Sequence, residues 1–262
     1  AGSETEAASE TEAASEAASG ETEAAGNTGD VITVGFSQVG AESDWRTANS
    51  ESMKSTFSTE NGYNLIFDDA QQKQENQITA IRNFIQQEVD YILLAPVTET
   101  GWDTVLQEAK DADIPVIIVD RMVDVSDDSL YTTWIGTDAL CEGRKAAEWL
   151  NGFAEAKGIA ASDIHIADIQ GTIGSTAQIG RTKGLEEGVE KYGWDLVAQQ
   201  TGEFTQAKGQ EVMESMLKQY DNINVVYCEN DNEAFGAIDA IEAAGKTVGP
   251  DGDILVMSFD TT

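Results

Sequence analysis

From residue 31 onward, short apolar runs alternate with stretches of helical periodicity. The runs at 31–36, 65–67, 91–95 and 116–119 are short and rich in branched residues, the pattern of strands covered on both faces. Three helices are predicted between them. The first spans about 44–60 and stops at Asn61-Gly62. The second, about 73–88, places Ile78, Ile81 and Ile85 on one face. The third starts near Thr100 and carries Trp102, Val105, Leu106 and Ala109 at the spacing i, i+3, i+4, i+7. A β-α-β-α-β-α-β order implies a parallel sheet with right-handed crossovers.

The pattern then repeats. Trp134-Ile135-Gly136 leads into a predicted helix at about 139–156, followed by strands at 164–169, 196–199, 225–228 and 254–257. Helices at about 176–191, 206–220 and 233–243 separate these strands. Two halves of this size fit two α/β domains, 31–133 and 134–262, better than one very wide sheet. No low-complexity linker divides them, so the junction at about 132–138 is expected to be a structured hinge. The sequence stops at Phe259-Asp260-Thr261-Thr262, directly after a predicted buried strand, and a C-terminal domain of this type is expected to continue further.

Charge narrows the choice of partner. The 262 residues hold 48 acidic and 15 basic side chains, a formal net charge of −33. Such a surface repels phosphate backbones and anionic bilayers, so no nucleic acid partner is expected and membrane attachment would need an anchor. No apolar run reaches the roughly 18 residues needed to span a bilayer. Residues 1–30 are almost entirely Ala, Glu, Ser, Thr and Gly, without Lys, Arg or aromatics. They read as a disordered acidic linker, either an incidental tail or a tether of the kind that holds lipid-anchored bacterial proteins off a surface. The two cysteines, Cys141 and Cys228, form neither a disulfide framework nor a zinc pattern, and a bridge between them is left open.

Ligands of open parallel sheets sit beyond the carboxyl ends of the strands. Those ends read Ser37-Gln38-Val39-Gly40-Ala41-Glu42-Ser43-Asp44-Trp45-Arg46, Asp68-Asp69-Ala70-Gln71-Gln72, Asp120-Arg121, Gln170-Gly171-Thr172, Glu229-Asn230-Asp231 and Asp260. Amides, carboxylates and guanidinium groups make paired hydrogen bonds to neighbouring hydroxyls, and an indole suits the C–H face of a sugar. Each residue has a plainer reading as well. Asp44 could cap a helix, Trp45 could pack in the core, Asp120-Arg121 could be a surface ion pair, Asn230-Asp231 a helix cap and Arg181 a solvated arginine. Trp102 lies on an apolar stripe and reads as core.

Signatures of catalysis are sparse. His165, the single histidine, sits between Ile164 and Ile166 in a predicted strand and reads as structural. No nucleotide-binding glycine motif follows the first strand, and neither a calcium loop nor an HExxH zinc motif occurs. No cofactor and no metal are expected. A pair of glycosidase carboxylates stays open on composition alone.

Several of these segments carry a resemblance. Gly35-Phe36-Ser37-Gln38-Val39-Gly40 with Trp45-Arg46, then Gln71-Gln72-Lys73-Gln74-Glu75-Asn76-Gln77, then Ala95-Pro96-Val97 through Gly101-Trp102, resemble bacterial galactofuranose-binding proteins of ABC sugar importers. Val119-Asp120-Arg121, Gln170-Gly171-Thr172 and Asn230-Asp231 continue the match in order, from about residue 31 to the end. The wider family is the ribose/galactose type of periplasmic binding protein. The resemblance implies a type I architecture of two Rossmann-like lobes joined by a hinge, with a monosaccharide in the cleft. It also implies an extracytoplasmic monomer, tethered through the acidic linker, that delivers its sugar to ABC permease subunits. Sugar sensing for a chemoreceptor or kinase is the alternative, and a two-domain sugar-active enzyme the more distant one. By similarity, Trp45, Arg46, Asp120 and Arg121 would contact ligand from the first lobe, and Arg181, Asn230 and Asp260 from the second; Gln38, Glu42, Asp44 and Thr172 join them as ligand candidates from their places at the strand ends. Arg181 becomes a candidate only through this resemblance. Cys228 and Glu229 depart from the family's pattern before Asn230-Asp231, a departure that could alter which sugar fits.

Overall fold

β1 (Ile32–Gln38), β2 (Tyr63–Asp69), β3 (Tyr91–Leu94), β4 (Val116–Val119) and β5 (Thr133–Ile135) pair in parallel in the order β2-β1-β3-β4-β5. These belong to a computed structural model that describes residues 31–261; the linker expected at 1–30 lies outside the described residues. Helices α1 (Asp44–Thr56), α2 (Gln74–Gln86) and α3 (Asp103–Asp111) cover this sheet. Alternation along each strand feeds two apolar layers. Ile92 and Leu94 join Ile81, Phe84, Trp102, Leu106 and Ile118, whereas Leu93 and Ala95 join Val34, Phe36 and Val119 on the α1 side.

The second lobe repeats the plan. α4 (Ala139–Lys157) enters it, and β6 (His165–Gln170), α5 (Thr176–Tyr192), β7 (Asp195–Thr201), α6 (Gln206–Gln219), β8 (Val225–Cys228), α7 (Asp231–Ala243) and β9 (Leu255–Met257) follow. Its strands are parallel in the order β7-β6-β8-β9, matching the first four positions of the other sheet. In both lobes the order reverses at the lobe's first strand, and the loops leaving the strand ends diverge there to open a crevice. Side-chain caps start five of the helices: Ser43, Asp138, Ser175, Thr205 and Asn230 each accept a backbone N–H of the first turn.

Three of the boundaries that differ from the sequence reading have a clear local cause. The first helix ends at Thr56 rather than about 60, because Phe57 turns inward onto Tyr63 with ring centroids 5.1 Å apart; a short 3₁₀ turn, Thr59–Asn61, follows. The third helix starts at Asp103, because the preceding Trp102 is buried with its indole donating to the Thr98 carbonyl at 2.7 Å. The domain boundary at 133/134 would cut β5, which pairs with β4 in the first sheet, so the chain crosses between sheets at 136–138. Cys141 and Cys228 are both free thiols. His165 opens β6 and its Nδ1 lies 2.9 Å from Asp195 Oδ2, a hydrogen bond between neighbouring strands.

Candidate functional site

The carboxyl ends of both sheets face a shared cavity of about 400 Å³, within the ~300–1,000 Å³ range of small-molecule sites. After β1, the chain supplies Glu42, Trp45 and Arg46; after β4, Asp120 and Arg121. The second lobe adds Arg181 from α5, Phe204 after β7, Asn230 after β8, and Phe259 and Asp260 after β9. Thr137 and Glu142 come from the crossover and the first turn of α4.

Charge is closely balanced in this wall, with three guanidinium groups facing four carboxylates. Arg46 Nη2 donates to Asp120 Oδ2 at 2.6 Å and its Nε to Glu42 Oε1 at 3.0 Å. Arg121 Nη2 reaches the same Glu42 oxygen at 3.4 Å, and its Nη1 donates to the Val97 carbonyl at 3.1 Å. Arg181 Nε and Nη2 lie 3.1 and 3.0 Å from Glu142 Oε2, and Nη2 is 3.5 Å from Asp260 Oδ1. The guanidinium of each arginine also sits over a ring: Trp45 at 4.9 Å, Phe204 at 5.1 Å and Phe259 at 4.6 Å from the centroids.

Titration follows from this packing. Burial, then repulsion from Arg46, pulls the Arg121 guanidinium down to about 10, so it stays charged at neutral pH. Burial acts against Arg46 too, but Asp120 and Glu42 outweigh it and hold that group above its usual value. Burial raises the Asp260 carboxyl although Arg181 opposes it. Asp120, Phe204 and Asp260 take left-handed backbone, with φ of 63°, 61° and 100°. Non-glycine residues rarely do so, and such strain concentrates at binding sites.

Eight of the eleven residues named from sequence therefore line one cavity. Three do not. The buried Gln38 amide donates to Asn49 Oδ1 and Ser50 Oγ and accepts from the Val39 N–H, so it braces the loop after β1. Asp44 is exposed and bonds across the lobes to Asn232, its N–H donating to Oδ1 at 3.0 Å and its Oδ2 accepting from Nδ2 at 3.3 Å. Thr172 is half-buried in the turn leading to α5, where its carbonyl accepts from the Ser175 N–H. Phe204, Phe259, Thr137 and Glu142 were missed. Phe204 lies three residues beyond β7, but the apolar pattern of the sequence ends that strand at 199, which hides the approach of its loop to the cleft.

A protein-family model described as a periplasmic binding protein domain matches residues 34–262. The chain belongs to the periplasmic binding protein family. Among curated proteins, it is 45% identical to the galactofuranose-binding protein YtfQ of Escherichia coli K12 over 233 residues, 87% of this chain and 71% of that protein. A Mycobacterium smegmatis protein solved in complex with β-D-fucofuranose is 49% identical with a TM-score of 0.81, covering 87% of this chain and 73% of that one. The binding-protein component of the arabinose ABC transporter from Shewanella sp. ANA-3, bound to α- and β-L-arabinofuranose, is also 49% identical with a TM-score of 0.81, covering 88% and 74%. The two-lobed α/β architecture, with its cavity at the strand ends, is that of the type I members of this periplasmic binding protein family.

Proposed function

We propose that this chain is an extracytoplasmic receptor that captures a neutral monosaccharide, galactofuranose or a similar furanose, for import by an ABC permease. The observation that carries this reading is a cavity whose three arginines are each already paired with carboxylates. A sugar phosphate or uronate would meet four carboxylates against three guanidinium groups, whereas a hydroxyl can accept from a guanidinium and donate to the adjacent carboxylate at once. Trp45, Phe204 and Phe259 offer ring surface for the apolar face of a sugar. The fuco-, arabino- and galactofuranose class fits the ligands named for the relatives, and their kinship supports delivery to permease subunits.

In this reading Glu42, Trp45, Arg46, Asp120 and Arg121 form the first half of the site, and Arg181, Asn230 and Asp260 the second. Gln38 and Asp44 act in support: Gln38 shapes the loop, and Asp44 joins the lobes. Binding proceeds by closure of one lobe on the other and returns the sugar unchanged. The ion pairing of the cavity carboxylates supports this, since it leaves them poorly placed to protonate a leaving group. The receptor acts as a monomer, with residues 1–30 as its tether, a role their acidic, aromatic-free composition supports.

A thermal-shift screen tests the reading, using galactose, arabinose, fructose and ribose together with galacturonate and a sugar phosphate. Saturation at 100 times Kd adds about 2.7 kcal/mol to stability. A shift for one or two neutral sugars, lost in Arg121→Ala and absent for the anions, is expected. A cooperative melt that no neutral sugar moves would overturn it.

A further inference from the structure

Glu233 lies outside the cavity wall, at the third position of α7, and is fully buried. A glutamate there ordinarily turns back to the N–H of its own cap residue. Here Oε1 instead accepts from the Phe204 N–H at 2.8 Å, in the loop after β7. The cap residue Asn230 completes the hold: its Oδ1 accepts from the Glu233 N–H at 2.8 Å while its Nδ2 donates to the Phe204 carbonyl at 3.0 Å. Both polar groups of the Phe204 backbone are thus tied to the first turn of α7, in a left-handed conformation that phenylalanine seldom takes.

The surroundings leave the ring little freedom. A Cβ at Gly171 would lie 1.9 Å from Phe204 Cζ, so only glycine fits beneath it, and a Cβ at Gly202 would lie 2.7 Å from Glu233 Oε1. Glu233 Oε2 has no hydrogen-bond partner among the described residues, an arrangement that costs stability. Among the described residues, the Phe204 N–H is the hydrogen-bond partner of this buried carboxyl.

We infer that Glu233 is a positioning residue: by holding the Phe204 amide it fixes that ring as a rigid wall of the cavity and thereby sets the affinity for the sugar's apolar face. This rests on the receptor reading above. Preorganising a ring before the sugar arrives removes an ordering cost that would otherwise fall on binding. Burial pushes the Glu233 carboxyl well above the usual carboxylate range, so a neutral amide is a close substitute for it.

Calorimetric titration of the full chain with galactose and with arabinose, in a double-mutant cycle, tests the inference. Phe204→Ala and Glu233→Ala should each raise Kd about tenfold, the scale of one lost aromatic contact. The double variant should be no weaker than either single one, and Glu233→Gln, which keeps the acceptor, should bind within about twofold of the parent. Losses that multiply in the double variant, or a glutamine variant as weak as the alanine one, would overturn the inference while leaving the receptor reading intact. A parent chain that binds no sugar of the screen would overturn both. Should Glu233→Ala fail to fold, amide exchange in the sugar-free parent decides: the Phe204 N–H should exchange slowly, and rapid exchange would refute a preset ring.

Discussion

Asn232→Ala isolates the contribution of lobe closure without touching the cavity wall. The side chain makes two bonds across the cleft mouth to Asp44, at 3.0 and 3.3 Å, and alanine at the second position of α7 is well tolerated in a helix. Asp44 is exposed, so each bond belongs at the lower end of the usual net range; together they are worth about 1 kcal/mol, a roughly fivefold change in the closed-to-open ratio. Other interlobe bonds, among them Met122 N–H to Thr176 Oγ1 at 2.7 Å, Thr176 Oγ1 to the Met122 carbonyl at 3.2 Å and Glu99 N–H to the Gly174 carbonyl at 2.9 Å, stay in place, so closure is weakened and not abolished. In the proposed closure sugar leaves only from the open form, so the change should appear in the dissociation rate. Stopped-flow fluorescence should show dissociation about fivefold faster with association nearly unchanged, and titration a Kd about fivefold higher. Asp44→Ala should show a smaller loss, since it keeps the backbone N–H that bonds Asn232. An unchanged dissociation rate in Asn232→Ala would mean that these bonds do not hold the lobes together.

Two further outcomes follow from buried groups. Burial, with the charge of Glu186 adding to it and a bond from Gln199 opposing it, pushes the Asp168 carboxyl up to about 7. The native state therefore holds a proton that the unfolded chain releases near its ordinary value of about 4, so stability should fall as pH rises from about 4 to 7 and level off above. The buried Glu229 and Glu233 carboxyls, also raised, add to this slope, so Asp168→Asn should reduce it without abolishing it in melts run from pH 5 to 8, and an unchanged slope would remove Asp168 as one of its sources. Thiol titration should label Cys141, which is half-exposed, and leave the buried Cys228 unreactive until denaturant is added; rapid labelling of both would contradict the packing of β8.

Much of this protein was decided locally. Runs such as Val116–Val119 and the Ile78, Ile81, Ile85 spacing dictate strand and helix because burial of apolar faces is periodic, and the β/α order then dictates parallel sheets. Residues that follow strands, in the loop (Asp120, Arg121 and Asp260) or in the first turn of the next helix (Trp45 and Arg46), were legible as site candidates for the same reason: the fold sends strand ends to one crevice. Asn230 shows that two readings can hold together, since it caps α7 and also lines the cavity. What the sequence could not supply was partnership between the lobes. Whether Asp44 faced the ligand or Asn232 depends on where α7 comes to rest against α1, residues 188 positions apart. Phe204 reaches the cavity only because Glu233 and Asn230 hold its backbone in a strained turn, and Arg181 is drawn in by Glu142 and Asp260. Periodicity reports which face of an element is buried; only the packed structure determines which distant polar group each buried charge must meet.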